Sequence, residues 1–329
     1  MDSLTFALVI PTYRRPHLVL QAVESGLRQD RPFDEIIVVA DGEDDPALDV
    51  LREQPVVIEA VPHGGVASAR NAGIARATTD WVCFLDDDDL LHPHYLSSLE
   101  RDIEARPTVK AFNTEYWSFA EKAGPREEFE ARDLDGCLAA AATAAPKNDM
   151  AYLHIEGRSF DRLLERLLGS MSTAAVEREV LQRAGGFPTG FATAEDWTMY
   201  VNVSRLTEWG VVPERLAFFR DHVANVTHTG STSKGLTVLR AIGSFWGPTP
   251  LPTPPHRSLD DYRRFYRYEL RNVLERCRRA RDIVAYREAL RLAAPILPRR
   301  IDRLSAMIPP AMWEGVRRIR RRRRGGDVS

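Results

Sequence analysis

The stretch Trp81-Val82-Cys83-Phe84-Leu85-Asp86-Asp87-Asp88-Asp89-Leu90-Leu91-His92-Pro93 decides the fold. Its five leading apolar residues, bounded by polar ones, predict a strand buried on both faces, and four carboxylates begin where that run stops. Adjacent acids raise one another's pKa, and a buried charge without a partner is costlier still. The cluster therefore requires a cation or water beside it. Ligands bind at the carboxyl ends of strands in an open α/β sheet, so a hard divalent ion with oxygen ligands is the expected occupant. The competing expectation is a solvated turn, with Asp89 capping a helix that begins near Pro93.

Outward from this strand, the preceding chain repeats one pattern. Strand, loop and helix follow at Leu4 to Ile10, Pro11-Thr12-Tyr13 and Pro16 to Leu27. They follow again at Glu35 to Ala40, the loop from Asp41 to Pro46, and Ala47 to Glu53. A third set comprises Val56 to Val61, His63-Gly64-Gly65 and Val66 to Ala77; Trp81 to Leu85 with the helix Pro93 to Ala105 makes the fourth. Short strands alternating with helices predict a parallel sheet covered on both faces, with its strand-to-helix loops along one rim.

Past Pro107 the rhythm breaks. Strands are expected at Val109 to Trp117, Ser170 to Val176 and Val211 to Phe219. Helices are expected at Glu177 to Ala184, stopped by Gly185-Gly186-Phe187-Pro188, and from Thr193 to about Leu206. Between Glu121 and Asp149, charged residues and an Ala-rich run predict a mobile loop and a helix. Gly, Ser, Thr and Pro from Gly230 to Pro255 predict a flexible loop and linker, and Leu259 to Leu292 is strongly helical.

The net charge of −2 hides a division. Residues 256–329 hold 21 arginines and 9 acids, about +12, which leaves about −14 upstream. The last segments, 301–308 and 311–324, mix Leu, Ile, Met and Trp with Arg, a composition suited to lying on an anionic membrane surface. A solvated tail is the alternative. The acidic upstream part argues against a chain that wraps nucleic acid. Three widely spaced cysteines, with no zinc spacing, predict free thiols. No run approaches the roughly 18 apolar residues of a membrane span, and no basic region precedes an apolar run at the N-terminus. The expected location is the cytoplasm, with peripheral contact to the inner face of the membrane through the basic C-terminus.

Five segments, in order, resemble family 2 glycosyltransferases of bacterial type. They are Ala7 to Arg15, Val38-Val39-Ala40-Asp41-Gly42, Gly64 to Gly73, Phe84 to Asp89 and Glu195-Asp196. The resemblance covers roughly residues 4 to 230. It implies the GT-A fold, a single Rossmann-like mixed sheet flanked by helices, here with a C-terminal helical extension. The implied catalytic domain is 1–235, with nucleotide-sugar binding at about 1–107 and the acceptor side at about 108–235. Residues 236–329 would be the linker and basic helical extension.

The resemblance also implies roles. Pro11, Thr12 and Tyr13 frame the nucleotide base and Asp41 hydrogen-bonds it. Arg70 faces the nucleotide while Asn71 fixes the loop; Arg15 reaches the diphosphate only if its loop folds inward, and a solvated arginine is the favoured alternative. Asp86 lies on the ribose side with Asp87 beside it, and Asp88 ligates Mn²⁺ or Mg²⁺. Asp196, with Glu195, is the expected base that takes the acceptor hydroxyl's proton in an inverting transfer. Trp197 either stacks on a sugar or packs. Arg220-Asp221-His222-Val223-Ala224-Asn225-Val226-Thr227 resembles a segment near the end of many bacterial members, where His222 is suited to complete the metal site or touch the diphosphate; His228 is second choice. The loop Gly230 to Gly235 is expected to close over the donor, a UDP-sugar.

Two rival classes are distinguishable. A nucleotidyltransferase would carry a Gly-rich, Lys-containing phosphate loop after the first strand, where this chain has Pro-Thr-Tyr-Arg-Arg. A non-catalytic binding module on the same fold would be expected to lose the acidic run or the Glu-Asp pair, and both are present. The sugar, the acceptor and the function of the C-terminal helices, whether oligomerisation, membrane docking or acceptor binding, have no motif.

Overall fold

The computed structural model describes residues 3–124, 127–144, 155–164, 169–191, 193–222, 232–245 and 258–297. The chain divides into two compact units, Met1–Phe191 with Glu195–His228, and Ala192–Ala194 with Thr229–Ser329.

The first unit is built on a nine-stranded mixed sheet. Its first half follows the repeating pattern: β1 (Phe6–Thr12), α1 (Pro16–Leu27), β2 (Glu35–Asp41), α2 (Ala47–Leu51), β3 (Val57–Val61), α3 (Val66–Arg76) and β4 (Trp81–Phe84). These four strands are parallel in the order β3-β2-β1-β4. β1 and β4 are wholly buried, as their uninterrupted apolar runs require. Gly73 lets α3 lie close on the sheet, since a Cβ there would overlap Val9.

Beyond β4 the sheet stops being parallel. After β5 (Leu90–Leu91) and α4 (Tyr95–Ala105) come β6 (Ala111–Ala120), β7 (Phe129–Glu130), α5 (Leu134–Ala141) and α6 (Phe160–Leu163). Then follow β8 (Ala174–Glu177), α7 (Arg178–Ala184), α8 (Glu195–Val203) and β9 (Trp209–Arg220). β8 inserts antiparallel between β4 and β6, and β9 lies parallel to β6. β5 pairs antiparallel with β9 at the far side, so Asp86 to Asp89 form the crossing between two separated parts of the sheet. Because β8 runs against both β4 and β6, the start of β8 and the ends of β4 and β9 share one rim.

The second unit contains three helices among the described residues, α9 (Thr232–Phe245), α10 (Leu259–Arg279) and α11 (Ile283–Ala293). The expected linker at 230–255 is corrected over 232–245. Gly235, Leu239, Ile242 and Phe245 recur at helical spacing and are buried, a pattern masked by the Gly, Ser and Thr around them. The strongly helical stretch expected over Leu259 to Leu292 divides into two helices. Ser258 opens α10 with a reciprocal capping box to Asp261, and Asp282 accepts from the Ala285 N–H at 2.9 Å to start α11. Tyr266, Leu270, Val273 and Leu274 of α10 with Ala285, Ala289 and Ala293 of α11 supply further buried apolar positions. The segments 301–308 and 311–324, His228, and Gly230 with Ser231 lie outside the described residues.

No helix among the described residues is long and apolar enough to cross a membrane. Cys83, Cys137 and Cys277 are free, buried thiols, as the sequence predicts.

Candidate functional site

The site is assembled at the rim where β4 ends. Leu85 still donates to the Val9 carbonyl, and the Asp89 N–H then closes a turn on the Asp86 carbonyl at 3.1 Å. That turn sends four carboxylates to four environments.

Asp86 receives the Arg70 guanidinium at 2.6 Å. Arg70 lies on α3, is 3% exposed, and also donates to Glu195 Oε1 at 3.1 Å. One arginine thereby joins the end of β4 to the start of α8. Burial opposes its charge, but Asp86 and Glu195 hold the guanidinium's pKa above its ordinary value. Asn71 exchanges two hydrogen bonds with the Phe187 backbone, 2.7 and 2.8 Å, and the Phe187 ring faces the Arg70 guanidinium at 5.2 Å. The Gly-Gly-Phe turn that stops α7 is thus a wall of this site, which its reading as a helix stop missed. Gly186 has φ +64°, and a side chain there would meet Asn71, so glycine is required.

Asp87 accepts from the Thr12 hydroxyl at 2.8 Å and from Arg15 at 2.9 Å. Burial and the neighbouring Asp88 push it up to about 6. Asp88 Oδ2 takes Arg15 at 2.8 Å and His222 Nε2 at 3.0 Å. Burial pushes Asp88 up, but the hydrogen bond from His222 and the charge of Arg15 prevail, and it stays below the usual carboxylate range.

Arg15 does fold inward, against the solvated alternative. Arg14 adopts φ +54° with its N–H held by the buried Asp45 at 2.6 Å, which turns the next side chain over the acids. Asp45 also accepts from Ala47 N at 2.8 Å, and the sequence reading gave it no role.

Asp89 departs from its expected role as a helix cap in a solvated turn. α4 begins at Tyr95, so Asp89 caps nothing there, and its carboxylate, 1% exposed, faces inward. It accepts from Ser172 Oγ at 2.6 Å and from the Arg220 N–H at 2.9 Å. Burial and the charges of Asp88 and Asp86 raise its pKa well above the ordinary value.

Asp196 follows Glu195 in the first turn of α8, where the Trp197 N–H donates to it at 2.6 Å. Burial and Glu195 raise it to about 7, while the Arg70 charge pulls it down. Trp197 packs rather than presenting a face: it is 7% exposed and its indole N–H donates to the Leu163 carbonyl.

Further along the rim, Asp41 is 3% exposed and accepts from the backbone N–H groups of Gly64 (2.8 Å) and Gly65 (2.9 Å). His63 Nδ1 lies 2.9 Å from Asp41 Oδ2, the oxygen that also takes Gly65, and the His63 ring stacks on Tyr13 with centroids 4.5 Å apart. Asp41 thus shapes the turn before α3, with the half-exposed Tyr13 ring beside it. Pro11 lies in β1, paired with Val39, and fixes the strand end from which Thr12 and Tyr13 project.

The glycosyl transferase family 2 model matches residues 7–134. The uncharacterized glycosyltransferase YwdF of Bacillus subtilis is 34% identical over 123 residues, 36% of this chain and 46% of YwdF. The chain spans 46%, 29% and 65% of the first three curated relatives it matches. Among solved structures, residues 1–349 of S. aureus TarS in complex with UDP-GlcNAc superpose with TM-score 0.62 at 14% identity, over 89% of this chain and 80% of that one. The mannosyltransferase PcManGT from Pyrobaculum calidifontis, in complex with GDP-Man and Mn²⁺, gives 0.53 at 18% identity, over 92% and 83%. The family 2 match over residues 7–134, the sheet topology and these superpositions agree on a GT-A-like fold for this chain.

Proposed function

We propose that this protein transfers a sugar from a nucleoside diphosphate donor, a UDP-sugar, to an acceptor hydroxyl with inversion at the anomeric carbon. The supporting observation is the Arg70 bridge. It brings Asp86, on the side of the acidic turn, and the Glu195-Asp196 pair into one buried network, with Asp88 and His222 next along the turn.

In this reading the base lies by Tyr13, Thr12 and Pro11, over the turn shaped by Asp41. Asp86 and Asp87 face the ribose and diphosphate, and Arg15 and Arg70 balance donor charge. Arg15 would exchange its present carboxylate partners for phosphate oxygens, which suit a guanidinium equally well. Among the described residues no three His, Cys, Asp or Glu side chains group closely enough to hold a metal alone. A diphosphate-bound Mn²⁺ or Mg²⁺ takes only one or two protein ligands. Asp88 and His222, 3.0 Å apart with a guanidinium already beside them, fit that need. When bound, the cation would neutralise charge growing on the leaving diphosphate.

Asp196 is the base: its carboxylate removes the acceptor hydroxyl's proton as that oxygen attacks the face opposite the diphosphate. A side chain titrating at about 7 suits this task at neutral pH. Glu195 holds Arg70 and sets the local charge. The acceptor side is assigned to residues 108–235, the donor side to 1–107. The Arg-rich C-terminus would rest on anionic lipid at the inner face of the membrane, near a lipid-linked or glycan acceptor.

The test is a thermal-shift and calorimetry panel of UDP, GDP, ADP and their sugars, with and without Mn²⁺, because a ligand that binds only the native state stabilises it by mass action. Manganese-dependent stabilisation by a uridine nucleotide is expected. A preference for guanine would move the donor assignment, and no response to any member would remove the reading.

A further inference from the structure

Asp89 and Ser172 are a buried pair that the proposed chemistry does not use. Ser172 Oγ donates to Asp89 Oδ2 at 2.6 Å and accepts from the Asp86 N–H at 3.1 Å, so one hydroxyl ties both ends of the acidic turn to the segment leading into β8. The other Asp89 oxygen takes the Arg220 N–H at the end of β9. Arg220 in turn donates from Nε to the Asp88 carbonyl at 2.8 Å and from a terminal nitrogen to Gln21 Oε1 at 2.6 Å. His222, two residues on, reaches Asp88 at 3.0 Å. Both oxygens of Asp89 are thus satisfied by protein donors at 1% exposure.

We propose that Asp89 and Ser172 are positioning residues for the metal–diphosphate site. Their hydrogen bonds fix the turn against β8 and β9, and so set the distance between the Asp88 carboxylate and the His222 imidazole. The inference rests on the proposed donor site. An aspartate buried beside two other acids is expensive unless it is fully hydrogen-bonded. Here one bond comes from the turn that leads into β8 and the other from the end of β9, which is the arrangement that holds three chain segments in register. Partners behind metal-binding side chains typically change metal affinity by about 10–100-fold when removed.

The test uses the full chain and follows UDP binding by calorimetry, well below the melting temperature, at a series of fixed Mn²⁺ concentrations. Ser172→Ala is expected to need about 10–100-fold more Mn²⁺ for half-maximal UDP binding, with the binding recovered at high Mn²⁺. Asp89→Asn, which keeps an oxygen for the Arg220 N–H, should shift the same way, and Ser172→Thr, which keeps the hydroxyl, should lie near wild type. A purely structural role would lower the melting temperature and leave the Mn²⁺ requirement alone. A wild-type Mn²⁺ requirement in both Ser172→Ala and Asp89→Asn therefore overturns the proposal. If wild-type protein binds UDP without any Mn²⁺ dependence, the metal-site reading beneath the proposal fails, and the proposal falls with it.

Discussion

Asp88, in the turn after β4, and Asp196, in the first turn of α8, belong to one network of charges, yet their surroundings push them in opposite directions. Burial raises both. At Asp88 it is overcome by the His222 hydrogen bond and the Arg15 charge, so the carboxylate stays ionised. At Asp196 burial is reinforced by Glu195, and Arg70, already shared by Asp86 and Glu195, compensates only in part. In the proposed reading one side chain type serves two tasks: a permanently charged group suits cation binding, and a group titrating near neutrality suits proton transfer.

The sharpest break of that contrast is Asp196→Asn. It should leave Mn²⁺-dependent nucleotide binding intact and lower the transfer rate by about 10²–10⁴-fold, the usual contribution of a general base. The base must be deprotonated to act, so wild-type kcat should rise with pH through about 7 and level off above it. A flat profile across that range, or near-normal turnover by the amide, would assign the proton to another group. Asp88→Ala probes the other half. It leaves His222 and Arg15 without their shared carboxylate and should weaken Mn²⁺-dependent nucleotide binding by about tenfold or more, read by calorimetry, on the scale of a lost metal-side interaction. Unchanged affinity would detach Asp88 from the metal.

The two halves of the sheet differ just as much in how far the sequence disclosed them. Pro16–Leu27 is a helix with the expected bounds, and β1 to β4 and α1 to α3 lie within two residues of the ends that periodicity predicts. Local signals suffice there, because each strand is a continuous apolar run and each helix has a stripe. The antiparallel insertion of β8 between β4 and β6 was not legible from periodicity, since it depends on pairing across about a hundred residues. β5 escaped for a related reason: two leucines after an acidic run make a strand only because β9 lies alongside. At the site, the acidic run announced itself by composition and the Glu-Asp pair only by its resemblance to the family. Ser172, Asp45 and His63 did not, because a serine in an apolar strand or an aspartate in a turn has many bland uses. Asp89 shows the limit from the other side. The run of four looked like one feature, and burial divides it residue by residue.

Thermal stability gives a smaller test of the same contrast, and one that needs no substrate. A carboxyl whose folded pKa is raised from about 3.8 to about 7 binds its proton more tightly in the native state. Its contribution to stability is whole below its unfolded pKa and is lost as pH rises to about 7. At pH 8 the Asp196 carboxylate is ionised and poorly compensated, so Asp196→Asn should raise the melting temperature there and raise it less at pH 5. Asp88 has the opposite sign. Its lowered pKa means the native state favours the charged form, so its contribution is present above the unfolded value and is lost as pH falls through the folded one. Asp88→Asn should therefore lower the melting temperature at pH 8. Each kcal/mol corresponds to about 2–4 °C in a domain of 150–250 residues, within reach of differential scanning calorimetry without nucleotide or metal. If both amides moved the melting temperature at pH 8 in the same direction, the two carboxylates would share one electrostatic regime, and the division of labour between them would have no physical basis.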